Sequence, residues 1–146
     1  MLVAELVERL DATVPSLARR VEGAAELAEL VRRKALPQAS PFAFVLPTGL
    51  VARAEGDSGT GVFTQMVDEV FAVVLFVRAS GDITGGKALP AIDALVWAVI
   101  GAVCGWGPDE AIGVFQLRRG QLLSAEAGAV IYQLDFALQQ QVRIIA

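Results

Sequence analysis

The sequence predicts an α+β fold: a mixed, mainly antiparallel sheet of about five strands packed against two or three helices, in one domain over residues 1–146. Three observations carry that reading. The closing segment "AVIYQLDFALQQQVRI", 129–144, alternates Val130, Tyr132, Leu134, Phe136, Leu138, Gln140, Val142 and Ile144 with mostly polar odd positions. That is the period of a strand with one dry and one wet face. Residues 70–77, "VFAVVLFV", are apolar on both faces, as in a strand covered above and below. Helical spacing at the N-terminus and a long apolar segment at 88–104 supply the helices, and the order helices, strands, helix, strands makes an α+β sandwich.

Each element follows from its residues. Val3, Leu6, Val7 and Leu10 form one stripe of an amphipathic helix over 2–12, opposed by Glu5, Glu8, Arg9 and Asp11. Pro15 disfavours helix at Val14 and ends it. Gly23 divides the next stretch into a short extended piece through Val21 and a helix over about 24–34 with Ala24, Leu27, Ala28 and Val31 on one face. A single helix from Leu17 is the alternative. "PFAFVLP", 41–47, is a strand near a sheet edge, extendable through Leu50–Ala54. "EGDSGTG", 55–61, is a small, polar loop expected to be mobile in a free subunit. The strand 63–80 follows, then a flexible turn, "SGDITGGK".

Pro90 suits the first turn of a helix whose residues to Cys104 are apolar almost all round, so burial on more than one side is expected. "GWGP", 105–108, stops it. "IGVFQL" and "QLLS" flank Arg118–Arg119–Gly120, which reads as a hairpin, and "AEAG", 125–128, turns the chain into the final strand. At about 3.3 Å per residue that strand reaches roughly 50 Å, far beyond the usual 5–6 residues.

Composition narrows the function. The apolar share is 55%, above the roughly 45–50% of average globular chains. A membrane, a dry core or contact with other chains must absorb the excess. The unbroken apolar run from Ala94 to Trp106 falls short of the roughly 20 residues of a membrane span. "MLVAELVERLDATVP" lacks the basic-then-apolar order of a signal peptide, so a soluble, intracellular chain is expected. A net charge of −4 argues against nucleic-acid binding as the main task. The pairs Arg19–Arg20, Arg32–Arg33 and Arg118–Arg119 read as solvated surface, and the single Cys104 as a small buried hydrophobe.

No catalytic constellation emerges. The absence of histidine removes Ser-His-Asp triads, Cys-His dyads and histidine metal sites, and one cysteine removes thiolate clusters. Asp68 and Glu69 are strand neighbours on opposite faces and cannot act together. Asp93 is either a buried acid of functional interest or an acid in the N-terminal helix turn, the reading preferred here. "GDITGGK" lacks the phosphate-loop spacing. Neither cofactor nor metal is expected.

"RVEGAAELAEL" at 20–30, "FAFVLP" at 42–47, "FAVVLFVR" at 71–78, the apolar helix ending "GWGP" and the closing "YQLDF" at 132–136 together resemble the tail terminator proteins of long-tailed bacteriophages and prophages. The resemblance covers nearly the whole chain and rests on diffuse patterns. It implies a non-enzymatic virion protein forming a ring, typically a hexamer. Such a ring caps the finished tail tube, stops its polymerisation and offers a surface to head-side neck proteins. Its partners are then itself, the tail tube protein and a neck or connector protein. An acidic balance suits a hole that passes DNA without gripping it. Candidate interface or assembly residues are Arg53, Glu55, Asp57, Phe71, Val73, Leu75, Arg118, Arg119, Gln139 and Gln141. Another neck component, or a small ligand-binding domain or enzyme, is the alternative.

Overall fold

The computed structural model describes residues 2–78, 88–109, 111–126 and 128–145. Helix α1 (Leu2–Thr13) forms on the expected stripe: Leu6 and Leu10 are fully buried, and Val3 and Val7 pack at the margin of the core. It ends before Pro15, where a short 3-10 turn buries Leu17. Strand β1 (Val21–Glu22) and helix α2 (Ala24–Arg32) follow, divided at Gly23, which excludes one continuous helix from Leu17. The Glu26 carboxylate accepts the Gly23 N–H at 3.1 Å and caps α2. The stripe expected on α2 stays wet: Leu27 is half-buried, while Ala24, Ala28 and Val31 are exposed.

Three long strands make the centre: β2 (Phe42–Ala52), β3 (Val62–Arg78) and β5 (Ala129–Ile145), with β4 (Phe115–Glu126) at one edge. The order is β1-β2-β3-β5-β4, with β1 parallel to β2 and every other pair antiparallel. β3 and β5 pair along their whole length, from Val62↔Ile145 to Arg78↔Ala129. The predicted hairpin at Arg118–Arg119–Gly120 does not exist. β4 runs straight through it, absorbing the extra residues in irregularities at Leu117/Arg119 and Leu122/Ser124. The turn at 125–128 is real in the sense that Glu126 pairs with Ala129. The turn "SGDITGGK" lies outside the described residues.

The edge reading of "PFAFVLP" is half right. β1 pairs only with Ala43 and Phe44, so β2 is internal there and open below. The pairing with β3 is irregular between Pro47 and Gly49, where the proline sits.

Helices α1 and α3 (Ala88–Val103) lie on one face of the sheet, α1 toward β1 and β2, α3 toward β3, β5 and β4. Beneath them sit Ala43, Val45, Phe71, Val73, Leu75, Phe115, Leu134, Phe136 and Leu138. The opposite face of the upper sheet buries Phe44, Ala72 and Phe76. Arg78 reaches across it, its guanidinium over the Phe76 ring and donating to the Pro37 carbonyl. Residues 71–77 are therefore covered on both sides, as their composition requires.

Helix α3 departs from expectation. Ile92, Leu95, Val96, Val99, Ala102 and Val103 are buried, but Leu89, Ala94, Trp97, Ala98 and Gly101 are exposed, so only one side is covered by this chain. Asp93 is also exposed and lies beyond the first turn, so both readings of it fail. Gly105, at φ +79°, ends the helix in a conformation that favours glycine. Trp106 then stacks on Phe115 (5.6 Å) beneath the Arg9 guanidinium. Cys104 is half-buried against the core. Among the described residues, no helix is long and apolar enough to cross a membrane.

Candidate functional site

Beyond the core the three central strands continue, joined at Thr64 by the loop that carries Asp57. Residues 47–52 of β2, 62–70 of β3 and 139–145 of β5 form a blade that keeps the alternation of the covered sheet. Val67, Val142 and Ile144 occupy the same face as Phe71, Phe136 and Leu138, yet Val67 and Val142 are only half-buried and Ile144 is exposed. Leu50 is 72% exposed and Ile145 73%, and Val51 and Ile144 are also exposed. Leu50 and Ile144 lie on one face and Val51 and Ile145 on the other, so the blade shows aliphatic side chains to water on both sides, a mark of an interaction surface.

At the junction of covered sheet and blade sits Asp68, 3% exposed and the one charged residue buried among those described. Arg118 Nη2 donates to its Oδ2, and Arg53 Nε stands 3.6 Å from the same oxygen. The irregularity at Leu117/Arg119 lets Arg118 reach this far from β4, and Arg53 arrives just after β2, where its N–H donates to Met66 (3.0 Å). One carboxylate thus ties both outer long strands to the middle of the sheet. Far from it, Glu29 is held below the usual glutamate pKa by its hydrogen bond from Arg32, which outweighs the opposing desolvation; the Arg33 charge adds a smaller lowering. That pair is fully exposed and forms a solvated helix face.

The predicted residues divide sharply. Arg53 and Arg118 meet at Asp68, and Gln139 stands directly opposite it across the β3–β5 ladder. Arg119 bonds Gln121, opposite Asp135. Gln141 is exposed on the blade, opposite Met66. Glu55 and Asp57 are exposed, but their loop is anchored: Asp57 and Thr64 exchange two backbone hydrogen bonds of 2.8 Å, and Asp57 Oδ1 accepts the Gly59 N–H. Phe71, Val73 and Leu75 need correction as contact residues. They are at most 3% exposed, beneath this chain's own helices, because the apolar run that suggested an interface belongs to the core.

Leu50, Val51, Trp97, Ile112 and Ile144 are not among the sequence candidates, and Asp68 enters the sequence reading only as a strand neighbour of Glu69 that cannot act with it. Asp68 had a signal: its parity places it in line with Val70, Ala72, Val74 and Phe76, where an acid demands a partner. The arginines that answer it are distant in sequence.

A family model described as "Phage tail terminator protein" matches residues 1–146. No curated protein matches the chain. Among solved structures, a chain of "Virion of native gene transfer agent (GTA) particle" superposes with a TM-score of 0.51 at 16% sequence identity, covering 96% of this chain and 98% of that one. At that identity the likeness is one of fold.

Proposed function

The chain belongs to the phage tail terminator family, and we propose that this phage tail structural protein forms a ring, six subunits round, that caps the finished tail tube. The ring ends tube polymerisation and presents its other side to the head-side neck proteins, so the partners are further copies of the chain, the tube protein and a neck or connector protein. The role is structural rather than enzymatic. Assembly takes place in the host cytoplasm, and the finished protein resides in the virion.

The observation that carries this reading is the blade. Three strands run on past the helices of their own chain with aliphatic side chains in water, and subunit contact removes that surface as a core would. The bare side of α3 adds to it. A net charge of −4 gives DNA passing through the ring little to grip. Light scattering over a range of concentrations, with and without the tube protein, together with electron microscopy of capped tubes, tests the proposal. Rings on tube ends are expected. A monomer under every condition, with tubes still growing in its presence, overturns it.

A further inference from the structure

The row of residues at Thr64 carries opposite charges at its two ends. Asp57 pairs with Thr64 on one side of β3, and Arg143 of β5 pairs with it on the other. Residues directly opposite in antiparallel ladders point to the same face, so the three side chains stand in line with Thr64 in the middle. At about 4.8 Å per strand spacing, the acid and the base are roughly 10 Å apart. Both are exposed, as is Glu55 in the same bend. Asp57 Oδ1 accepts the Gly59 N–H, and its second oxygen has no partner among the described residues. The Arg143 guanidinium has none among them either.

The Arg143 end is an open edge. β4 accompanies β5 only from Glu126↔Ala129 to Phe115↔Leu138, and Gly113 still leans on Gln139. From Gln141 to Ile145 the far side of β5 pairs with no described residue, and Gln141, Arg143, Ile144 and Ile145 are exposed. The Asp57 end lies on the other side of the blade. Rotating a copy about an axis parallel to the strands preserves their direction and level, so a neighbour's Asp57 arrives level with Arg143. A two-fold contact of the β5 edge with itself, centred on Arg143, instead sets one guanidinium against another, which like charge disfavours. A contact between two different patches of one chain is head-to-tail, and it closes into a ring when the rotation closes.

We infer that the open edge of β5 at Arg143 receives the Glu55–Asp57 bend of a second copy, with Arg143 and Asp57 paired across the joint. This rests on the ring reading above. A charge pair at the margin of an interface fixes register and suppresses wrong partners more than it adds affinity. Its work here is to give the contact a direction, head to tail rather than two-fold.

The test uses the full chain and reads self-association by light scattering, with tube protein added where the free chain stays monomeric. Arg143→Glu sets acid against acid at the joint and Asp57→Lys sets base against base, so each variant alone loses roughly tenfold in self-association. Mixed in equal amounts they assemble to within about threefold of the parent, because every joint of an alternating ring then holds one acid and one base. Both keep the melting temperature of the dilute parent. If Asp57→Lys melts lower through loss of the Gly59 bond, Asp57→Asn, which retains an acceptor, takes its place. Added to Arg143→Gln it then weakens association no further than Arg143→Gln alone, and a further loss overturns the inference. Unchanged association of Arg143→Glu overturns it as well, including the case where only tube binding falls and the edge faces the tube. Single variants that stay apart when mixed overturn it too, and recovery in a chain carrying both changes then places the pair within one subunit. The ring survives all of these results. A parent that forms no oligomer, with or without tube protein, removes the ring and this contact together.

Discussion

Residues 130–138 and 139–145 belong to one strand, β5, pair with one neighbour, β3, and share one alternation, yet they live in different solvents. In the first half Leu134, Phe136 and Leu138 are at most 1% exposed; in the second, Ile144 is 58% exposed on the same face. The difference is one of reach. At 1.5 Å per residue, α3 with 16 residues spans about 24 Å. At 3.3 Å per residue, β5 with 17 residues spans about 56 Å. A helix of that size covers less than half of such a strand. The sheet was built longer than its own helices can roof, and the uncovered length is what a neighbouring subunit can use.

The harshest way to break the comparison is a charge under the roof. Phe136→Asp places a carboxylate where the side chain is 0% exposed. Losing the ring costs about 3–5 kcal/mol, and the unpaired acid adds more. Together these rival the whole stability of a domain. No soluble folded protein is expected; a cooperative thermal transition in that variant refutes the buried-strand assignment.

Truncating one residue in each half sharpens the contrast. Leu134→Ala should lower unfolding stability by about 3 kcal/mol, and Ile144→Ala by no more than about 0.5 kcal/mol. Denaturant unfolding of dilute subunits measures both. Similar losses would mean that the blade is covered within one chain.

At the boundary, Arg118→Met leaves Asp68 buried with only the more distant Arg53. About 2 kcal/mol is expected, below the cost at a fully enclosed pair because half of the guanidinium stays hydrated. Arg53→Met should cost less, since its nitrogen stands 3.6 Å away. Reversal of that order would displace Arg118 as the main partner.

The smallest effects separate two glutamines. Read as a wet strand position, Gln139 should accept an acid without harm to folding. The ladder instead sets it opposite Asp68, where a second carboxylate should cost about 1 kcal/mol. Gln141→Asp, opposite Met66, should stay within about 0.5 kcal/mol. Equal melting temperatures for the two variants would show that the pair across the ladder does not feel its charge.

Local spacing alone fixes much of this protein. The stripe of α1, the stop before Pro15, the division at Gly23, the two-sided strand at 70–77 and the length of β5 all follow from apolar period and from proline or glycine geometry, which act over a few residues. The hairpin at Arg118–Arg119–Gly120 misled because glycine signals a turn and an irregularity in a strand equally well, and only the partner strand chooses. Asp68 and its arginines, 15 and 50 positions away, could not be joined by spacing, since their meeting depends on the order in which strands lie side by side. The same holds for the fate of apolar residues. Alternation says which face of β5 avoids water, but Phe136 is core and Ile144 is surface because helix and strand rise by different amounts per residue, and that mismatch appears only when one is laid on the other.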